Sequence, residues 1–206
     1  ATIRRQRQMC IRDSLLPVLF GLFLTLPQGK SVADSLSSRF EVLQTTRGRV
    51  TAGLQIITFF GFAVSAQTFW ISSKISEGAA FCSATTVFSC DDLLGNTDLN
   101  VDPLFGFSWG LLGMFTFAGL LFITLVIKND PQNQYVERFI NLGIFVTGVG
   151  IFVILYLISI EIQEEKICMY CTTAHIANLC ALFAFLKLRK LHDDSKLWNE
   201  KGTNSR

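Results

Sequence analysis

Apolar residues run along this chain in long blocks instead of recurring at every third or fourth position, the pattern of helices surrounded by lipid and not of helices with one wet face. A helix rises about 1.5 Å per residue and the hydrocarbon core is about 30 Å thick, so roughly 20 apolar residues are needed to cross it. Four blocks reach or approach that length: Val50 to Ile71, Phe105 to Ile127, Phe139 to Ile160 and the slightly shorter Thr172 to Leu188. The first three hold no charged residue, and the fourth holds only Lys187, one position from its end. Polar punctuation separates them. Asn129, Asp130 and Pro131 stop one helix and leave too short a connection for anything but an antiparallel neighbour. The pattern therefore predicts an all-α membrane protein, an up-down bundle of four transmembrane helices, with a long loop from Ser72 to Leu104 on one side.

Composition agrees, with half of the residues hydrophobic and only 17% charged. The amino terminus is a separate matter. Arg4 to Ser14, RRQRQMCIRDS, reads as the in-frame translation of a transposase-type sequencing adapter, so residues 1–14 are set aside from the fold and Cys10 is given no function. Setting aside four arginines and one aspartate turns a formal charge of +2 into −1, which removes any case for nucleic-acid affinity or a secretory n-region. Leu15 to Leu26 is apolar but short and contains Pro17 and Gly21, and residues 15–46 are left unassigned.

Charge at the ends of the spans orients them. Arg47 and Arg49 precede the first, Lys128 and Arg138 bracket the short turn, and Lys187, Arg189 and Lys190 close the fourth, so these ends are expected to be cytoplasmic, as is the polar tail 191–206. The other connections are acidic. Lys74 stands against Glu77, Asp91, Asp92, Asp98 and Asp102 in the long loop, and Glu161, Glu164 and Glu165 against Lys166 before the fourth span. Cys82, Cys90, Cys168 and Cys171 then face the extracytoplasmic side, periplasmic or lumenal, where disulfides persist. Gly106 with Gly110, and Gly143, Gly148 and Gly150, are expected to let backbones approach closely, and Trp70 and Trp109 to sit at the outer headgroup level.

The cysteines carry the chemistry. A Cys-x-x-Cys opening a helix sets its first sulfur near unpaired N–H groups, which stabilises thiolate, so Cys168 is expected to be the exposed, reactive thiol and Cys171 the deeper one. Cys82 and Cys90, on a loop, are spaced to pass electrons by thiol-disulfide exchange. Cys180, alone in mid-span, reads as a small buried hydrophobe. The rival reading is a non-catalytic membrane scaffold or metal-binding protein whose outer loops are stapled by disulfides.

The order of these elements resembles that of the vitamin K epoxide reductase family: a loop pair after the first core helix, two further helices, then Cys-x-x-Cys opening the fourth. KICMYCTTAHIANLC is similar to the family's redox segment, including Thr172, Thr173 and Asn178; FCSATTVFSC resembles its loop pair and DPLFGFSWGLLG the entry to the second core helix. The likeness spans residues 47–190. It implies a quinone-dependent disulfide oxidoreductase. In that scheme Cys168 and Cys171 reduce a membrane quinone (ubiquinone, menaquinone or a relative), with Cys171 nearest the ring. Cys90 exchanges with Cys168, and Cys82 meets a separate thioredoxin-like partner, so that the enzyme supports disulfide bond formation. His175 stands where animal relatives have a tyrosine that hydrogen-bonds the quinone, Asp102 where they have an asparagine, and Asn96 or Thr97 where a serine is usual. With Asn178, His175 and Asp102 are the implied quinone-binding residues. These departures favour a respiratory quinone over an epoxide as substrate. The mildly amphipathic stretch Asp91 to Leu104 is expected to lie over the pocket as a lid.

Overall fold

The computed structural model describes residues 15–78, 90–96, 98–103 and 105–199. Four helices cross the bundle in alternating directions: α3, Thr46–Ser76; α5, Trp109–Asn129; α6, Val136–Gln163; and α7, Met169–Asp193. Each is long and apolar enough to span a membrane. Helix α3 packs against both α5 and α7, and α6 closes the bundle against α7 and α5. The short helices are α1, Leu15–Thr25; α2, Lys30–Leu36; α4, Cys90–Gly95; and α8, Ser195–Trp198.

Local chemistry sets where the spans begin. Thr45 accepts from the Gly48 N–H at 3.0 Å to cap α3, and Ser108 accepts from Leu111 at 3.4 Å to cap α5. Cap satisfaction is why α5 starts at Trp109 and not at Phe105, four residues earlier: the intervening chain forms a turn with Gly106 at φ +70°. Gly106 is thus a turn residue, and not a packing one as its spacing from Gly110 predicted. Within the spans, the hydroxyls of Thr58, Thr68, Thr116, Thr124 and Thr147 each donate to a carbonyl three or four residues back, which satisfies them where no water is available.

Leu54 and Ile57 of α3, Leu120 and Ile127 of α5, Ile140 of α6 and Phe185 and Leu188 of α7 fill the centre with essentially no exposure. Large side chains point the other way as well. Phe152 is 74% exposed and Phe122, Phe145 and Leu155 are also outside, an arrangement that an aqueous surface penalises and a lipid one favours. Glycine permits the closest approaches. A Cβ on Gly110 would meet the Phe69 backbone nitrogen at 2.7 Å, and one on Gly143 would meet the Phe185 ring at 2.4 Å.

The ends are more folded than their composition suggests. Helix α1 lies against α3 through Gly21 and Gly53, buries Val18 and Leu24, and breaks at 93° into the stretch that ends with α2. Lys187 of α7 donates to the α1 carbonyl of Thr25. At the same end of the bundle α8 returns Trp198 to the core, where its indole donates to Pro131 O at 3.0 Å and its own carbonyl accepts from Arg47 at 2.6 Å. Part of the expected polar tail is therefore structural.

Gly143 and Gly148 lie on one helix but differ in surroundings, since nothing lies within 4 Å of a Cβ at Gly148. Gly143→Ala should destabilise the detergent-purified protein by about 1–3 kcal/mol through overpacking against Phe185. Gly148→Ala should be neutral or slightly stabilising. Equal shifts in thermal unfolding for the two variants would contradict this packing.

Candidate functional site

Cys168 is the N-cap of α7: its Sγ accepts from the Cys171 N–H at 3.4 Å, and its carbonyl accepts from Thr172 N at 2.9 Å and Thr172 Oγ1 at 3.0 Å. Its own N–H donates to Glu161 Oε1 at 3.2 Å, so α6 fixes the entry to α7. Cys90 opens α4, which lies over this end of the bundle and packs Leu93 and Leu94 into one apolar cluster with Val64, Ile71, Tyr170 and Cys168. Here the Cys168 thiol lies beside the side chains of both Cys171 and Cys90.

This placement reverses the expected exposure. Cys168 has no exposed surface, whereas Cys171 is partly open. It also reverses the expected acidity of Cys168, whose thiol is held well above its ordinary range. The Cys171 side chain is the largest cause, with burial and the Cys171 charge adding to it. The Cys90 side chain and the helix N-terminal N–H act in the opposite sense, without prevailing. A helix N-terminus stabilises thiolate only where the sulfur is not also desolvated and coupled to a neighbouring thiol.

Beneath the cap lies a cavity of roughly 300 Å³ lined by all four spans and α4. Helix α7 contributes Cys171, Ala174, His175 and Asn178, one face of the helix at helical spacing. The remaining walls are mostly apolar, with Ser65 and Thr68 of α3 and Trp109 and Thr116 of α5 among them. Two polar groups stand out. His175 is buried and its Nε2 has no hydrogen-bond partner among the described residues, while Asn178 donates to Thr147 O at 3.0 Å and is seated against Gly150. An unpaired buried nitrogen in an apolar cavity calls for a ligand acceptor or donor, and a flat ring bearing carbonyl oxygens fits both the walls and that nitrogen.

The other sequence-predicted positions fall elsewhere. Asp102 is buried but does not line the cavity; its carboxylate accepts from Phe105 N at 2.6 Å and holds the turn ahead of α5. Asn100, two residues earlier, does line it. Its Nδ2 donates to Ser72 Oγ at 2.6 Å and Leu94 O at 3.1 Å, tying α3, α4 and the loop together over the cavity mouth. Cys82 and Thr97 lie outside the described residues. Trp109 closes one side with its ring 5.8 Å from that of Tyr156, while Trp70 is half exposed on the outside. Cys180 is buried in the core away from the other thiols. Among the described residues no three metal-ligating side chains converge.

Sequence reasoning missed Glu161 by reading it as a turn residue. The apolar block ends at Ile160, but the helix continues to Gln163 and carries the carboxylate into the wall of the cavity. The signal was there in the spacing, since Glu161 is seven residues ahead of Cys168 and only the later Glu164 and Glu165 fall beyond the helix.

Comparison with curated proteins found no match, and neither did comparison with solved structures. The model of the Vitamin K epoxide reductase family matches residues 53–186, from the first turns of α3 to the last turns of α7 and more than half of the chain. The four-helix membrane bundle with Cys-x-x-Cys opening its last span accordingly belongs to the vitamin K epoxide reductase family.

Proposed function

We propose that this protein is a quinone-linked thiol-disulfide oxidoreductase that takes electrons from a thioredoxin-like partner on the extracytoplasmic side, through Cys82 and Cys90, to Cys168 and Cys171. The observation that carries the reading is the position of the Cys168 thiol, packed in one cluster with Cys90 and Cys171, while Cys171 alone of the three opens onto the apolar cavity with His175. A bound quinone supplies a two-electron, two-proton acceptor.

The protein's own residues account for the rest. Reduced partner exchanges with a Cys82–Cys90 disulfide and leaves both as thiols; Cys90 then attacks Cys168 of a Cys168–Cys171 disulfide, releasing Cys171 as a thiol beside the cavity, and Cys82 attacks Cys90, restoring the Cys82–Cys90 disulfide and freeing Cys168 as a thiol. Oxidation of the Cys168–Cys171 pair reforms its disulfide as two electrons and two protons pass to the quinone. In this reading His175 Nε2 holds a ring oxygen, and Asn178, anchored on Thr147, shapes the far wall. Leu93 and Leu94 keep water from the exchanging sulfurs, which suppresses loss of electrons to other thiols.

The primary test mixes purified protein, a reduced thioredoxin-like substrate and a ubiquinone or menaquinone analogue and follows quinone absorbance; a protein that leaves the quinone oxidised ends this reading. Cys82→Ala should block electron entry from the protein substrate and still permit turnover with a small dithiol.

In Cys171→Ser the Cys168 thiol loses its motif partner and should be captured by Cys90 on mild oxidation. Peptide mass spectrometry should find a Cys90–Cys168 disulfide; Cys82 joined to Cys90 with Cys168 free would contradict the exchange route.

His175→Phe keeps an aromatic ring and removes the nitrogen. Loss of one hydrogen bond should raise the quinone KM by about tenfold with thiol-disulfide exchange between Cys90 and Cys168 unaltered. An unchanged KM would remove His175 from the quinone site.

A further inference from the structure

Glu161 is a carboxylate on a membrane-spanning helix, with no ion pair among the described residues, and such a group marks a functional position by default. It lines two spaces at once: the cavity that Cys171 and His175 share, and a second, more open groove along α6 and α7 with Ile158, Ile162, Glu165 and Thr172. His175 lines both as well. Glu161 is also the acceptor for the Cys168 N–H. Its Oε1 therefore touches the backbone of Cys168, which has no wall on the cavity and no exposed surface.

That last point sets a chemical problem. Under the proposed function, forming the Cys168–Cys171 disulfide releases one proton from each thiol. The proton of Cys171 starts beside the cavity, but that of Cys168 starts behind it. We infer that Glu161 is the base that takes the Cys168 proton as the sulfur–sulfur bond forms and, with His175, returns a proton to the cavity. The balance closes: two S–H bonds break, one S–S bond forms, two electrons leave the dithiol for the acceptor, and two protons arrive at its oxygens. The surroundings leave Glu161 free for the task. Lys166 pairs with Asp92 at 3.2 Å, Glu165 faces the second groove, and α7 presents His175, Cys168 and Cys171. From α3 and α5 the cavity receives Ser65, Thr68 and Thr116, and from α4 only leucines, none of which titrates.

Glu161→Gln separates the proton role from the structural one, because glutamine keeps an oxygen to accept the Cys168 N–H. Glu161→Ala removes both. This inference rests on the proposed function, so two readouts are needed. In quinone-free reduced protein treated with diamide, a small thiol oxidant, Glu161→Gln should form the Cys168–Cys171 disulfide roughly 10- to 100-fold more slowly near neutral pH, by mass-spectrometric quantification. In quinone-linked turnover it should lower kcat by a similar factor, hold the quinone KM within about twofold, and lose an ionisation that the wild-type pH profile shows. Should Glu161→Gln not fold, Glu161→Asp serves, with a kcat between the two and the ionisation kept. Wild-type rates and pH profile in Glu161→Gln would overturn the inference. A wild-type protein that reduces no quinone would overturn the proposed function instead, and the diamide rates would then decide the role of Glu161 alone.

Discussion

The structure depends on holding one sulfur, Cys168, out of water between two others. Its backbone is clamped from both directions, by Glu161 on its N–H and by the first turn of α7 on its carbonyl, and its side chain is roofed by Cys90 and the leucines of α4. Each clamp has its own requirement. For Glu161 to reach, α6 must run past the apolar block; for α4 to sit down, Asn100 must hold Leu94 and Ser72 together. The four-helix bundle is the rigid frame that lets those separate segments converge. In lipid that frame rests on close packing and internally satisfied hydroxyls, since the surroundings are as apolar as the core.

The fold was legible in the chain because its cause is local. Blocks of apolar residue as long as a bilayer is thick, broken by Asn129 to Pro131 and by clustered charge, leave little choice beyond four antiparallel spans. Boundaries were less legible, because a helix does not end where its apolar composition does. Glu161 and Gln163 are helical, and Phe105 and Phe107 are not. The same discrepancy explains what was missed at the site. A carboxylate one residue beyond an apolar run looks like a loop, and an asparagine in a loop looks like a turn, until tertiary packing brings both to the cavity.

The cysteines show the complementary case. Their spacing put Cys-x-x-Cys ahead of an apolar helix, and Cys171, His175 and Asn178 line one cavity from a single helical face as their numbering requires. Which thiol would be open, and which acidic, did not follow. Local geometry argues for a reactive Cys168, and α4, which arrives from a distant part of the chain, covers it and sets Cys90 beside it. Asp102 likewise looked like a ligand by position and turned out to hold the turn before α5. Residues whose roles come from contacts within one helix were readable; those set by a neighbour were not.

The burial of Cys168 has one more consequence, which comes from valency. A sulfur joins only one other sulfur at a time, so this atom can link to Cys90 or to Cys171 but never to both. Under the proposed function, electrons routed through it would pass as through a turnstile, a single pair at a time. With no exposed surface, the sulfur would be closed to stray reductants approaching from the side.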